Sequence, residues 1–202
     1  MAISSVNSKN LNSVLEKCRN ILSDKINAQK ERGIVNRSVK IMVVGVPNVG
    51  KSSFINRIAN KKSAKTGDRP GVTRGKQWIR LSNGFELLDT PGVLWPKFED
   101  KQVGMRLAFT GAVKDEIMDV EELAVHLLEF LKENYPSSLA DRYKMTDFDG
   151  LDGYGLLQML GKKRGFVVSG GEIDTLRAAN VLLDEFRGAV LGKITLDKVG
   201  EE

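Results

Sequence analysis

Gly45-Val46-Pro47-Asn48-Val49-Gly50-Lys51-Ser52 decides how the rest of this chain is read. It fits G-x-x-x-x-G-K-[ST], and its flanks are right as well as its letters. Val39 to Val44 (Val-Lys-Ile-Met-Val-Val) is a short β-branched apolar run ending at Gly45, the pattern of a buried strand. Beyond Ser52, the residues Phe54, Ile55 and Ile58 fall on one face of a helix that runs through Ala59. Strand, glycine-rich turn and helix are the setting of a phosphate loop. Glycines let the backbone wrap closely there, so that successive N–H groups and the helix N-terminus point at an anion. Gly45, Asn48, Val49, Gly50, Lys51, Ser52 and Ser53 form the expected cradle. Lys51 is placed to reach the β- and γ-phosphates, and the Ser52 hydroxyl to ligate magnesium.

Two further motifs follow in order. Thr66-Gly67-Asp68-Arg69-Pro70-Gly71-Val72-Thr73 is polar and rich in Gly and Pro, a loop signal. A threonine roughly twenty residues past the phosphate-loop lysine is where a switch loop closes over magnesium and the γ-phosphate, which nominates Thr73. Gln77–Leu81 and Phe85–Leu88 then read as strands joined at Ser82-Asn83-Gly84, an Asn-Gly hairpin signal. The second strand runs into Asp89-Thr90-Pro91-Gly92. Asp89, at a strand end, is expected to hold the magnesium shell, and the Gly92 N–H to bond the γ-phosphate until hydrolysis releases it. Val93 stands where many such proteins carry the glutamine that orients the attacking water. A valine cannot hydrogen-bond water, so slow intrinsic hydrolysis is expected. Trp95 and Phe98 read as switch packing.

Composition narrows the class. With 202 residues, 41% hydrophobic, the chain is long enough for one large or two small cores. No run of 18 apolar residues occurs, and the first ten residues lack the charged-then-apolar order of a signal peptide. A single cysteine, Cys18, excludes an internal disulfide and fits a reducing cytoplasm. The net charge of +5 hides a split: residues 1–115 carry 21 Lys+Arg against 9 Asp+Glu, residues 116–202 carry 10 against 17. The basic half holds more cation than one nucleotide needs, which makes an acidic partner such as RNA plausible, beside the blander reading of a solvated basic surface.

Elsewhere the chain is read as follows. Ala2–Val6 is an extended stretch. Leu11, Val14, Leu15, Cys18, Leu22 and Ile26 repeat at helical spacing, predicting one amphipathic helix with Asn10 as N-cap and an end near Gly33. Cys18 lies on the apolar stripe and reads as core. Asn60-Lys61-Lys62-Ser63-Ala64-Lys65 imitates base-recognition letters but lacks the Asp of N-K-x-D, so it reads as a basic turn. From about residue 116 the pattern turns helical, with Val120, Leu123, Ala124, Leu127, Leu128 and Leu131 in one stripe and His126 off it. Asp147–Gly153 has the wrong spacing for a calcium loop and reads as an acidic turn. Tyr154–Leu160 and Thr175–Phe186 are predicted helices, the latter capped by Asp174. Between them, Lys162-Lys163-Arg164 either complements a helix C-terminus or contacts a phosphate backbone.

The order of these motifs is unusual. In an ordinary P-loop GTPase, N-K-x-D follows Asp-x-x-Gly, yet the residues after Gly92 contain none. Ile3-Ser4-Ser5-Val6 instead resembles a strand with the second base-contacting loop, followed by a helix and then the phosphate-loop strand. That order is a circular permutation. Together with the phosphate loop, Thr66–Thr73 and Asp89–Pro96, it makes the chain resemble the ribosome biogenesis GTPase A family. The resemblance implies an α/β P-loop GTPase fold, circularly permuted and here N-terminally truncated, over residues 1–115. An all-helical C-terminal domain over 116–202 would contact ribosomal RNA. It implies GTP and Mg2+ as cofactors, Ser4 and Ser5 near the base, and Asn48 as a ligand for K+ beside the phosphates. The implied partner is the precursor of the large ribosomal subunit with its rRNA, in the cytoplasm, with neither DNA nor a membrane involved. The family's upstream strands and N-K-x-D are absent from these residues, so weak nucleotide binding with little preference for GTP over ATP is expected. Two other readings compete: a GTPase acting on another structured RNA, and a nucleotide-dead binding module.

Overall fold

In the computed structural model, which describes residues 1–5, 7–34, 38–60, 77–81, 84–93, 100–113, 119–148 and 150–197, Val39–Val43 forms strand β1. Gln77–Arg80 (β2) and Phe85–Asp89 (β3) complete a three-stranded sheet in the order β1-β3-β2. β1 runs parallel to β3 with Val39 opposite Phe85 and Val43 opposite Asp89, and β2 runs antiparallel to β3 with Ile79 opposite Leu87. The predicted hairpin therefore forms, although its Ser82 and Asn83 lie outside the described residues. Lys51–Ala59 (α3) lays Ile55 on Ile79 and Leu87, with Phe54 and Ile58 partly buried beside them. Period-two pleating puts Ile41, Leu87 and Ile79 on that one face.

The other face is open, which corrects the reading of Val39–Val44 as a buried strand. Met42 lies opposite Leu88, and Leu88 opposite Trp78. Met42 and Trp78 in this row are 61% and 49% exposed. Lys40 places its ammonium 5.0 Å from the Trp78 ring centre.

The N-terminal stretch also departs from expectation. Residues 2–5 form no strand. A strand needs a ladder partner, and here the backbone groups bond locally: the Ser4 N–H donates to Lys9 O at 3.1 Å, and Asn10 Nδ2 to Ala2 O at 3.0 Å. Asn10 is consequently left-handed and gives no side-chain cap. The single predicted helix is two, Leu11–Ile21 (α1) and Ser23–Glu31 (α2), broken at Leu22. Ser23 and Asp24 follow the break, and short polar side chains of this kind compete with the helical backbone. Cys18 is half-buried rather than core.

The chain divides into two compact units, Met1–Pro96 and Lys97–Glu202. The second takes in a helix at Lys101–Phe109 (α4) that the sequence pattern does not announce. It continues with Val120–Asn134 (α5), Pro136–Tyr143 (α6), Gly153–Lys163 (α7) and Thr175–Arg187 (α8). The predicted stripe on α5 is its core: Ala124, Leu127, Leu128 and Leu131 are fully buried against Leu156, Leu157 and Leu160 of α7 and Ala179 and Leu182 of α8. Aspartates start α5, α7 and α8. Asp119 accepts from the Glu121 and Glu122 N–H groups, Asp152 from Gly155 and Asp174 from Arg177. Thus Asp152 of the acidic turn has a structural task. His126 sits between Glu129 at 3.3 Å and Glu122 at 4.0 Å on the outer face of α5.

One polar network ties α6, α7 and α8 together. The Glu185 carboxylate accepts from the Arg142 guanidinium, from the Tyr143 hydroxyl at 2.8 Å and from Arg164 at 3.3 Å. The hydrogen bond from Arg142 is the main reason that the Glu185 carboxyl is held below its usual range, while burial pushes the Tyr143 phenol up. A carboxyl lowered in the folded state contributes stability above its unfolded pKa and loses it as pH falls through the folded value. Glu185→Gln should therefore lower the urea midpoint at pH 7, and the gap to the unmodified chain should close as pH falls through the carboxyl range. A gap independent of pH would show that the carboxylate charge plays no part.

Candidate nucleotide-binding site

The loop between β1 and α3 has the backbone that its letters demand. Asn48 (φ 59) and Gly50 (φ 86) are left-handed, and Gly50 directly precedes the first residue of α3. Asparagine and glycine tolerate that region best. Alternation of this kind turns successive N–H groups to one side and makes an anion-binding concavity. Asn48, Val49 and Gly50 are exposed on the rim, as is Ser53 one turn into the helix. Gly45 is close-packed instead, since a Cβ there would lie 3.3 Å from Val49 Cγ2.

Lys51 curls back over the loop. Its Nζ donates to Val46 O at 2.6 Å, and the residue is only 8% exposed. Burial lowers its pKa, and the charge of Asp89 partly opposes that. The ammonium is thus held on the loop's own carbonyl, beside the rim where an anion would sit.

Asp89, the last residue of β3, is 1% exposed. Its Oδ2 accepts the Ser52 hydroxyl at 3.0 Å, and its buried Oδ1 has no hydrogen-bond partner among the described residues. Thr90 fixes the strand end by donating to Val43 O at 2.7 Å. The chain then turns back over the phosphate loop, where the Val93 N–H donates to Gly45 O at 3.2 Å. Gly92 touches the loop so closely that a Cβ would lie 2.5 Å from Pro47 N and 2.6 Å from Pro47 Cα. The Val93 side chain is 68% exposed.

The structure therefore brings together Lys51, Ser52, Asp89 and Gly92 around the loop. Thr73, Trp95, Phe98 and the basic turn after Asn60 lie outside the described residues. Ser4 Oγ accepts a long hydrogen bond, 3.5 Å, from the Asn7 N–H. Sequence reading missed the Thr90 anchor and the Gly92–Pro47 contact. The first has no signal beyond a polar residue after a strand, and the second requires the fold.

A family model described as a 50S ribosome-binding GTPase matches residues 40–152. A ribosome biogenesis GTPase A from Bacillus licheniformis is 45% identical over 198 residues, which are 98% of this chain and 70% of that relative. This chain belongs to the ribosome biogenesis GTPase A family, a family of GTP hydrolases. Among solved structures, a GDP-bound YlqF superposes with a TM-score of 0.56 at 23% identity, over 86% of this chain and 66% of that one. A GNP-bound YlqF from T. maritima gives 0.53 at 22%, over 87% and 65%. The family member described here thus spans a little under two thirds of those two structures, and its α/β fold is the P-loop GTPase one.

The close contact at Gly92 yields a test. Backbone against backbone cannot give way as a side-chain tip can, so Gly92→Ala must lift the Asp89–Gly92 loop off Pro47. Overpacking of this kind costs about 1–3 kcal/mol, or roughly 5- to 150-fold in an equilibrium constant. Calorimetry with a non-hydrolysable triphosphate should show a loss of that order. Unchanged affinity would mean that the contact is not needed for the nucleotide-bound loop.

Proposed function

We propose that this chain is the nucleotide-operated part of an assembly factor for the large ribosomal subunit, bound to the precursor particle in one nucleotide state and released in the other. The observation that carries the nucleotide half is the Ser52–Asp89 hydrogen bond, with Oδ1 of the buried Asp89 unpartnered among the described residues. An uncompensated buried carboxylate oxygen is costly, and hydroxyl plus carboxylate oxygens are the donor set of a hard divalent cation. Ser52 and Asp89, with Thr73 from the switch loop, would hold Mg2+. When bound, that ion neutralises charge on the β- and γ-phosphate oxygens. Asn48, on the exposed rim, is proposed as the K+ ligand.

The residues of the chain then divide the work. The loop N–H groups from Gly45 to Ser53 hold the phosphates, and Lys51 exchanges its bond to Val46 O for the β- and γ-phosphates. The Gly92 N–H reports the γ-phosphate, and its contact with Pro47 makes loop and reporter move together. Val93 offers no atom to orient a water, so a group on the bound particle completes the site. The ribosomal half of the proposal rests on the family and on the names of the relatives. It places the protein in the cytoplasm, and among the described residues no helix is long and apolar enough to cross a membrane.

Two measurements test this reading. With a non-hydrolysable GTP analogue the chain should co-sediment with large ribosomal subunits, and with GDP it should leave them. Hydrolysis by the isolated chain should be slow and should rise on addition of large-subunit particles, where completion of such a site can contribute about 10³–10⁵-fold. Rapid turnover that ignores added subunits, or equal sedimentation in both states, contradicts it.

A further inference from the structure

Past Asp89 the chain leaves the sheet, and residues 90–93 form neither strand nor helix. This short segment carries the Gly92 N–H, and both its ends are tied to the chain that enters the phosphate loop. At the near end, the Thr90 hydroxyl donates at 2.7 Å to the carbonyl of Val43, the last residue of β1. At the far end, the Val93 N–H donates to Gly45 O at 3.2 Å, and Gly92 rests on Pro47.

The two ends differ in kind. Thr90 is only 7% exposed, and its bond is short. A buried hydroxyl that gives up its partner is left unsatisfied, so this end cannot be exchanged cheaply. Val93 is open to solvent and its bond is long, so water can replace it at little cost. Pro91 lies between them and has no N–H with which to add a tie. The segment is therefore fixed to β1 at one end and releasable at the other.

The fixed end adjoins Asp89. Val43 stands opposite Asp89 in the parallel register, so Thr90 bonds to the strand residue beside which the carboxylate is held. Filling a strand end needs no hydroxyl, since a β-branched valine suits the same backbone. The hydroxyl adds a directional bond. Only Thr90 and Pro91 separate Asp89 from Gly92, and without that bond a shift of Gly92 would pass directly to the carboxylate.

We propose that Thr90 is a positioning residue for the nucleotide reaction: its hydroxyl, anchored on Val43 O, holds the Asp89 carboxylate still while Gly92 and Val93 follow the γ-phosphate. The inference deepens the nucleotide reading above and rests on it. Groups that orient a metal ligand typically contribute about 10–100-fold to metal affinity.

The test uses the full 202-residue chain and its Thr90→Val, Thr90→Ala and Thr90→Ser variants, with circular dichroism to check the fold. Calorimetry measures affinity for GDP and for a non-hydrolysable GTP analogue, each with and without Mg2+. The gain from Mg2+ should be about tenfold smaller in Thr90→Val and Thr90→Ala, at the lower end of that range. Their magnesium-free affinities should stay close to those of the unmodified chain, and Thr90→Ser should keep the full gain. A threonine that only closes the sheet would lower the urea midpoint and leave the gain from Mg2+ untouched. That result overturns the inference and leaves the nucleotide reading standing. Loss of the gain in Thr90→Ser as well would assign the effect to the methyl group and overturn it too. So would loss of the fold in both variants that lack the hydroxyl. No nucleotide binding by the unmodified chain overturns the inference and the nucleotide reading together.

Discussion

A buried carboxylate with one satisfied oxygen is the constraint on which the nucleotide-binding unit depends. Asp89 is nearly inaccessible, and among the described residues its carboxylate accepts only the Ser52 hydroxyl. Such a group persists where the surroundings hold it and a ligand repays it. Its position is over-determined: β3 lies between two strands, and Thr90 pins the strand end to Val43 O, while the Lys51 charge acts on the same site. The same lysine is held by a loop carbonyl, so both charged groups are fixed at the loop. Preorganised charge of this kind is what phosphoryl chemistry requires, because there is little covalent work for the protein to do.

The two units are built on different economies. In the first, a three-stranded sheet buries one face under α3 and leaves Met42, Leu88 and Trp78 in a row on the other. Parallel strands such as β1 and β3 are normally covered on both faces. In the second, α4 to α8 share a leucine-rich core, and glycines permit close contacts within it. A Cβ at Gly153 would lie 2.6 Å from Val125 Cγ1, and one at Gly161 would lie 2.4 Å from Ile173 Cγ2. Arg187 closes α4 by donating to the Ala108 and Phe109 carbonyls at 2.9 and 3.1 Å, satisfying acceptors that a helix end leaves free.

What the sequence disclosed follows the range of the forces involved. Periodicity is local, so α3, α5, α7, α8 and all three strands could be read from it, and Asp174 announced its cap. Motif spacing points to Lys51, Ser52 and Asp89 together, because strand–turn–helix geometry leaves little freedom, and a hydrogen bond joins the last two. Failures came where partners are distant or missing. Residues 2–5 had strand-like letters but no ladder partner, so local bonds to Lys9 and Asn10 won. The break at Leu22 lay within an apolar stripe that periodicity alone reads as continuous. Helix α6 begins at Pro136, a first-turn residue easily mistaken for a stop. The touch of Gly92 on Pro47 spans the fold and has no sequence signal.

The central claim is that Asp89 is kept half-satisfied for a nucleotide-bound magnesium. The direct measurement is GTP affinity by calorimetry, with and without Mg2+, for the unmodified chain and for Asp89→Asn. The account predicts that magnesium strengthens binding at least about tenfold in the first, one unit of 1.4 kcal/mol. In the variant that gain should disappear while magnesium-free binding stays close to unchanged. An equal gain from magnesium in both proteins would contradict the claim, and Asp89 would then be a structural carboxylate only.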